Sequence, residues 1–115
     1  MTIRRTLADG AVVLSVAGSM AGSDLGDLHR ELVTHLRARR TRIVLDFEGV
    51  DHVSYHDASL LAREFDLVRN YDGEMRLAGV SPYVRDILLF AGLSGLFETY
   101  ARDAKKTDTP VGLAD

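Results

Sequence analysis

Ile43-Val44-Leu45-Asp46-Phe47, followed by Tyr55-His56-Asp57-Ala58-Ser59-Leu60-Leu61 and then by the run from Met75 to Val80, is the stretch whose reading decides the fold. The first segment is continuous, apolar and rich in β-branched residues, as an interior strand covered by other elements requires. The second opens an amphipathic helix expected from about Asp57 to Tyr71. Successive residues 100° apart place Ala58, Leu61, Ala62, Phe65 and Val68 on one core-facing side. The third is a strand. A strand, a helix and a strand thus follow one another at the centre of an α/β domain.

The flanks extend the pattern. Ile3 to Leu7 and Ala11 to Ala17 alternate in the manner of strands, and Asp9-Gly10 between them is a tight-turn signal, so a hairpin is expected. Val12, Leu14 and Val16 share one face, and Val13, Ser15 and Ala17 the other. Gly18 to Ser23 reads as a loop of small residues. A helix capped by Ser23 or Asp24 follows, with Leu25, Leu28, Leu32 and Leu36 as its stripe. Ser81 is an N-cap with Pro82 at the first helical position, and Gly92 is the residue past the end of that helix. Leu96 to Tyr100 reads as a short last strand. Beyond Arg102 the chain turns polar and reads as a frayed tail. The result is one α/β domain over 1–101 with a C-terminal tail over 102–115. Its order is ββαβαβαβ, with a mixed sheet and helices mainly on one side. Val12, Leu14, Ile43 to Leu45 and Leu77 belong in that sheet, with Leu61, Phe65 and Val68 packed on it.

Composition excludes several functions. A chain of 115 residues with net charge -3 has no basic surplus to neutralise phosphates, so no nucleic-acid partner is expected. Arg39, Arg40 and Arg42 read as a helix end complementing its dipole. With no cysteine in the chain, disulfides and thiolate chemistry are absent. No leader-like or membrane-length apolar run is seen, so the expectation is a cytoplasmic protein without membrane insertion. His52, His56, Asp51 and Asp57 lie in a loop on this reading, and His29 and His35 sit apart on another element, so no metal site is expected. Ser59, His56 and Asp57 are too close in sequence to face one another as a triad, and the nucleophile-elbow, phosphate-loop and dinucleotide patterns are missing. No catalytic residue and no cofactor are expected.

Two features remain. Ser59 is placed in the first turn of its helix, where free backbone N–H groups accept added negative charge, and Arg63 lies four residues on, within reach of a phosphoryl group. A capping Asp57 beside a solvated serine is the alternative. Leu60, Leu67 and Tyr71 lie together away from the core stripe. They are expected either at a partner surface or beneath another element.

From Ile3 to Tyr100 the chain resembles the STAS domain family, typified by bacterial anti-sigma-factor antagonists. Ile43 to Val50 is similar to the strand before the family's switch. His56-Asp57-Ala58-Ser59-Leu60-Leu61 is similar to its Asp-Ser-Ser/Thr/Ala-Gly-Leu signature. Gly73-Glu74-Met75 through Ser81-Pro82-Tyr83-Val84-Arg85 to Leu93 resembles its last strand and Ser-Pro-x-Val-Arg helix. The resemblance implies a non-enzymatic binding module whose partner is an anti-sigma factor that is also a serine kinase. It implies a switch loop at His56, Asp57 and Ala58, with Ser59 as phosphoacceptor. Self-association as a homodimer and a role as a non-phosphorylated scaffold subunit of a sensory or lipid-transport complex are the further expectations. The sequence departs from the family pattern at Ala58, at Leu60 in place of glycine, and at Ala21 in place of an aspartate, with Asp24 the nearest acid.

Overall fold

The computed structural model describes residues 2–20 and 24–93. They form β1 (Thr2–Ala8), β2 (Ala11–Met20), α1 (Asp24–Arg37), β3 (Arg42–Val53), α2 (Tyr55–Asn70), β4 (Glu74–Ala78) and α3 (Pro82–Phe90). The strands make one sheet in the order β1-β2-β3-β4. β1 and β2 are antiparallel, and both β2 with β3 and β3 with β4 are parallel. The expected strand Leu96 to Tyr100, the tail, the boundary near 101 and the Ser23 cap all lie outside the described residues.

The hairpin forms as its dipeptide demands. Asp9 and Gly10 both have positive φ, 50° and 79°, the backbone of a two-residue turn that matches strand twist. The two parallel connections step in the same direction across the sheet, and right-handed crossovers in that arrangement leave both helices on one face. Burial agrees. Val12, Leu14, Val16, Ile43, Leu45, Phe47, Met75 and Leu77 are buried beneath the helices. Their alternates Val13, Ser15, Val44, Asp46, Arg76 and Ala78 are half-buried on the opposite face. From the helix side, Leu28, Leu32 and Leu36 of α1, Leu61, Phe65 and Val68 of α2, and Val84 and Leu88 of α3 complete the core.

β3 is much longer than the apolar run Ile43 to Phe47. It continues to Val53 because β2 follows it through register shifts at Ser15/Ala17 and Gly18/Ser19. Gly49 eases that continuation, since a Cβ there would lie 3.0 Å from the Ala17 Cβ, tighter than ordinary contact. β4 ends at Ala78, two residues before the expected Val80.

All three helices end in the same way, with paired backbone bonds that close the last turn. In α1, Arg39 N donates to Leu36 O and Arg40 N to His35 O; in α2, Asp72 N to Arg69 O and Gly73 N to Val68 O; in α3, Gly92 N to Leu89 O and Leu93 N to Leu88 O. The left-handed residue is Arg39, Asp72 or Gly92 respectively, at φ 64°, 59° and 94°. Gly73 serves a different need, because a Cβ there would meet Thr41 O at 2.6 Å.

Arg5 of edge strand β1 ties to α1. Its Nε and Nη2 donate to the two carboxylate oxygens of Glu31 at 3.1 and 3.2 Å. This bond holds the Glu31 carboxyl below its ordinary range, against a smaller opposing effect of burial. A depressed carboxyl contributes stability that is present above the ordinary glutamate value near 4.5 and lost as pH falls through the folded value. Glu31→Gln is therefore expected to flatten the loss of stability below that pH. Urea midpoints measured from neutral to acid pH check this, and an unchanged acid slope in the variant would assign the loss to other carboxyls.

Candidate functional site

β3 delivers the chain to the start of α2 at the carboxyl end of the parallel strands. Ser54, extended at φ -70° and ψ 154°, is the N-cap. Its Oγ accepts from Asp57 N at 3.1 Å and donates to Asp57 Oδ2 at 2.9 Å. Ser54 thus caps the helix through Asp57 N, while the Asp57 carboxylate accepts from the capping hydroxyl and fixes it in place. Asp57 is only 2% exposed.

This geometry corrects several expectations. The helix starts at Tyr55, not near Asp57, so His56, Asp57 and Ala58 form its first turn and are not a loop. His52 likewise lies on β3. Ser59 is the fifth helical residue and belongs to the second turn. Its Oγ donates to Tyr55 O at 3.2 Å, one turn back. A phosphoryl group on it would not meet the free N–H groups of the helix start, because those belong to residues before it. Arg63 is exposed one turn further along the same side.

Leu60, Leu67 and Tyr71 are not an open patch. They are half-buried and pack against the core cluster. They flank Glu64, whose Oε1 meets His29 Nδ1 of α1 at 2.9 Å. The neighbouring helix therefore takes part of the surface that the sequence left unassigned. His35 is buried and its Nδ1 accepts from Arg40 Nη1 at 3.2 Å. No group of three or more metal-ligating side chains converges among the described residues.

Apart from Leu7 of β1, which is 63% exposed, the large apolar side chains open to solvent among the described residues lie on the other side of α2. Tyr55 is 56% exposed, Tyr83 56% and Phe90 79%. The Tyr55 and Phe90 rings meet edge to face at 5.6 Å. Tyr83 stacks on His52 at 5.8 Å, and its hydroxyl lies 3.0 Å from His52 Nδ1. One pair ties the start of α2 to the end of α3 and the other ties the end of β3 to the first turn of α3, so two aromatic pairs flank the segment that carries the Ser54 cap. Sequence reasoning did not single out Tyr55, Tyr83, Phe90 or this role for His52. A readable signal existed for Phe90, an apolar residue outside the α3 stripe of Val84, Ile87, Leu88 and Ala91.

Among the described residues no helix is long and apolar enough to cross a membrane. The curated relative BtrV of Bordetella bronchiseptica (strain ATCC BAA-588 / NCTC 13252 / RB50), named an anti-sigma factor antagonist, is 24% identical over 89 residues, 77% of each chain. Among solved structures, an RsbS variant from Moorella thermoacetica superposes with a TM-score of 0.70 at 16% identity, over 94% of this chain and 98% of that one. The anti-sigma factor antagonist SpoIIAA in its unphosphorylated form gives 0.63 at 16% identity, over 77% and 83%. SpoIIAA of Bacillus in its phosphorylated form gives 0.62 at 20% identity, over 89% and 97%. These structures share the mixed sheet with helices on one face. The STAS domain profile matches residues 2–105, nearly the whole chain, which therefore belongs to the STAS domain family.

Proposed function

We propose that this chain is a regulatory binding module of the anti-sigma-factor antagonist type, without catalysis of its own, acting in the cytoplasm on a protein partner. The partner class is an anti-sigma factor that is also a serine kinase. The observation that carries the reading is the exposed aromatic surface of Tyr55, Tyr83 and Phe90 beside the capped start of α2. Exposed rings held by neighbouring rings offer large contact area at low entropic cost. The named relative and the SpoIIAA neighbour are antagonists of anti-sigma factors, which supports the same class of partner here. Leu60, Leu67 and Tyr71, half-buried on the α1 side of α2, lie outside this contact.

We assign the phosphoryl acceptor to Ser59. It is half-exposed, and Arg63 on the same side can pair with the phosphate. SpoIIAA, a structural neighbour, has been seen with and without phosphate. Phosphorylation breaks the hydroxyl bond to Tyr55 O and adds about 1.5–2 negative charges beside the contact surface. The partner then loses affinity by repulsion and desolvation while the fold persists. Incubation with the cognate kinase and ATP, followed by mass spectrometry, tests the assignment. Phosphate on Ser59, and constitutive binding by Ser59→Ala, are the expected results. Phosphate on Ser54, or Ser59→Asp binding as tightly as wild type, removes Ser59 from the switch.

A second reading rests on Ala58, Leu60 and the occupied Ser59 hydroxyl. In it the domain is an unmodified scaffold subunit of a sensory or lipid-transport complex. A stable complex recovered from the source cell that contains no kinase and is insensitive to ATP would favour it. A homodimer through the same aromatic surface would appear as a doubled mass in sedimentation.

A further inference from the structure

Four arginines, Arg37, Arg39, Arg40 and Arg42, fall within six residues at the end of β3 opposite the start of α2. The helix-dipole explanation expected from the sequence covers only part of the group. Arg37 sits in the last turn of α1. Arg40 donates to His35 Nδ1 at 3.2 Å. Arg39 lies past the helix and Arg42 begins β3. Arg37, Arg39 and Arg42 are exposed and make no ion pair with any described residue. Acids are near this end too: Asp9 in the hairpin turn, Asp72 after α2, and Glu74, which pairs with Arg76. Arg42 also edges a shallow notch with Ala11, Ile43, Val44, Glu74 and Arg76.

Arg39 closes the end of α1. Its φ of 64° is the left-handed backbone that glycine adopts freely, as Gly92 does at the matching position of α3. Asp72 takes the same backbone at the end of α2, at φ 59°, so at Arg39 it belongs to the closing of the helix. Three exposed guanidinium groups within six residues, with no ion partner among the described residues, concentrate positive charge locally on an otherwise acidic chain.

We propose that Arg37, Arg39 and Arg42 form a docking surface for a short acidic segment of a partner protein. Guanidinium groups match carboxylates in bidentate geometry. The net charge of -3 repels a long polyanion as a whole, whereas three local cations act within a Debye length of about 10 Å on a few carboxylates. That balance favours a short acidic peptide over a DNA duplex or an anionic bilayer. The surface lies at the far end of β3 from Tyr55 and Phe90, so it stands independently of the proposed switch.

The test uses the full chain, with a fluorescent hexaglutamate peptide as the probe and a short DNA duplex and phosphatidylserine vesicles as alternatives. Anisotropy is expected to show peptide binding at low ionic strength that weakens as salt rises. Arg39→Gly combined with Arg42→Gln is expected to weaken it by about 10-fold or more, without a fall in melting temperature, because glycine suits the left-handed backbone. The proposal is overturned if the peptide fails to bind at low salt, if the double variant binds it equally well, or if the duplex or vesicles bind more tightly than the peptide.

Discussion

Phe65→Ala is expected to lower the unfolding free energy by about 3–5 kcal/mol, the range for emptying a buried aromatic site. Phe65 is 4% exposed on the face of α2 that carries Leu61 and Val68, both buried. Behind it lie β4 and β3, with Leu77 and Leu45 buried on the same face of the sheet. Any cavity left by the ring adds its cost to the lost transfer energy. Since a small domain has only about 5–15 kcal/mol in total, much of the stability rests on this ring. Urea melts at neutral pH check the size of the effect. A loss below about 1 kcal/mol would mean the α2 face collapses freely around the vacancy.

Tyr55→Asp together with Phe90→Asp is expected to weaken partner binding by about 100-fold or more, because buried aromatic anchors dominate contact energies. The melting temperature should change little, since both rings already face solvent. Leu67→Asp supplies the contrast. Leu67 packs against the core, so a charge there is expected to lower stability first and binding only with it. Titration calorimetry with the partner, alongside thermal melts, separates the cases. If Leu67→Asp abolished binding with an unchanged melt while the double aspartate variant bound normally, the contact would lie on the α1 side of α2.

The same pair of results turns on how the site was built. Ser54 and Asp57 are both residues that cap helices, and each could begin α2 when read locally. The spacing of a serine and an acid three residues apart was present in the sequence and pointed to Ser54. The choice follows from the length of β3, which reaches Val53 because it pairs with β2 through two register shifts. That pairing joins residues more than thirty positions apart, and no local window contains it. Moving the helix start by two residues carries Ser59 out of the first turn and changes what a phosphate there can contact.

What the sequence by itself determined is whatever depends on neighbours within a few residues. The alternation of Val12, Leu14 and Val16, the α1 stripe Leu25 to Leu36, the Asp9-Gly10 turn, the Ser81-Pro82 cap and the Gly92 terminus each carry their own physical cause, and the structure contains them all. A mixed sheet with helices mainly on one side followed from the order of the elements, whereas the strand order β1-β2-β3-β4 came from the tertiary pairing. The tertiary structure alone decided which side of α2 stays open. α1 takes the side of Leu60 and Leu67 through His29 and Glu64, while Phe90 of α3 meets Tyr55 and leaves both rings in solvent. Burial is a property of a residue's surroundings in space, and for a helix with apolar residues on more than one side those surroundings are set by elements that arrive from elsewhere in the chain.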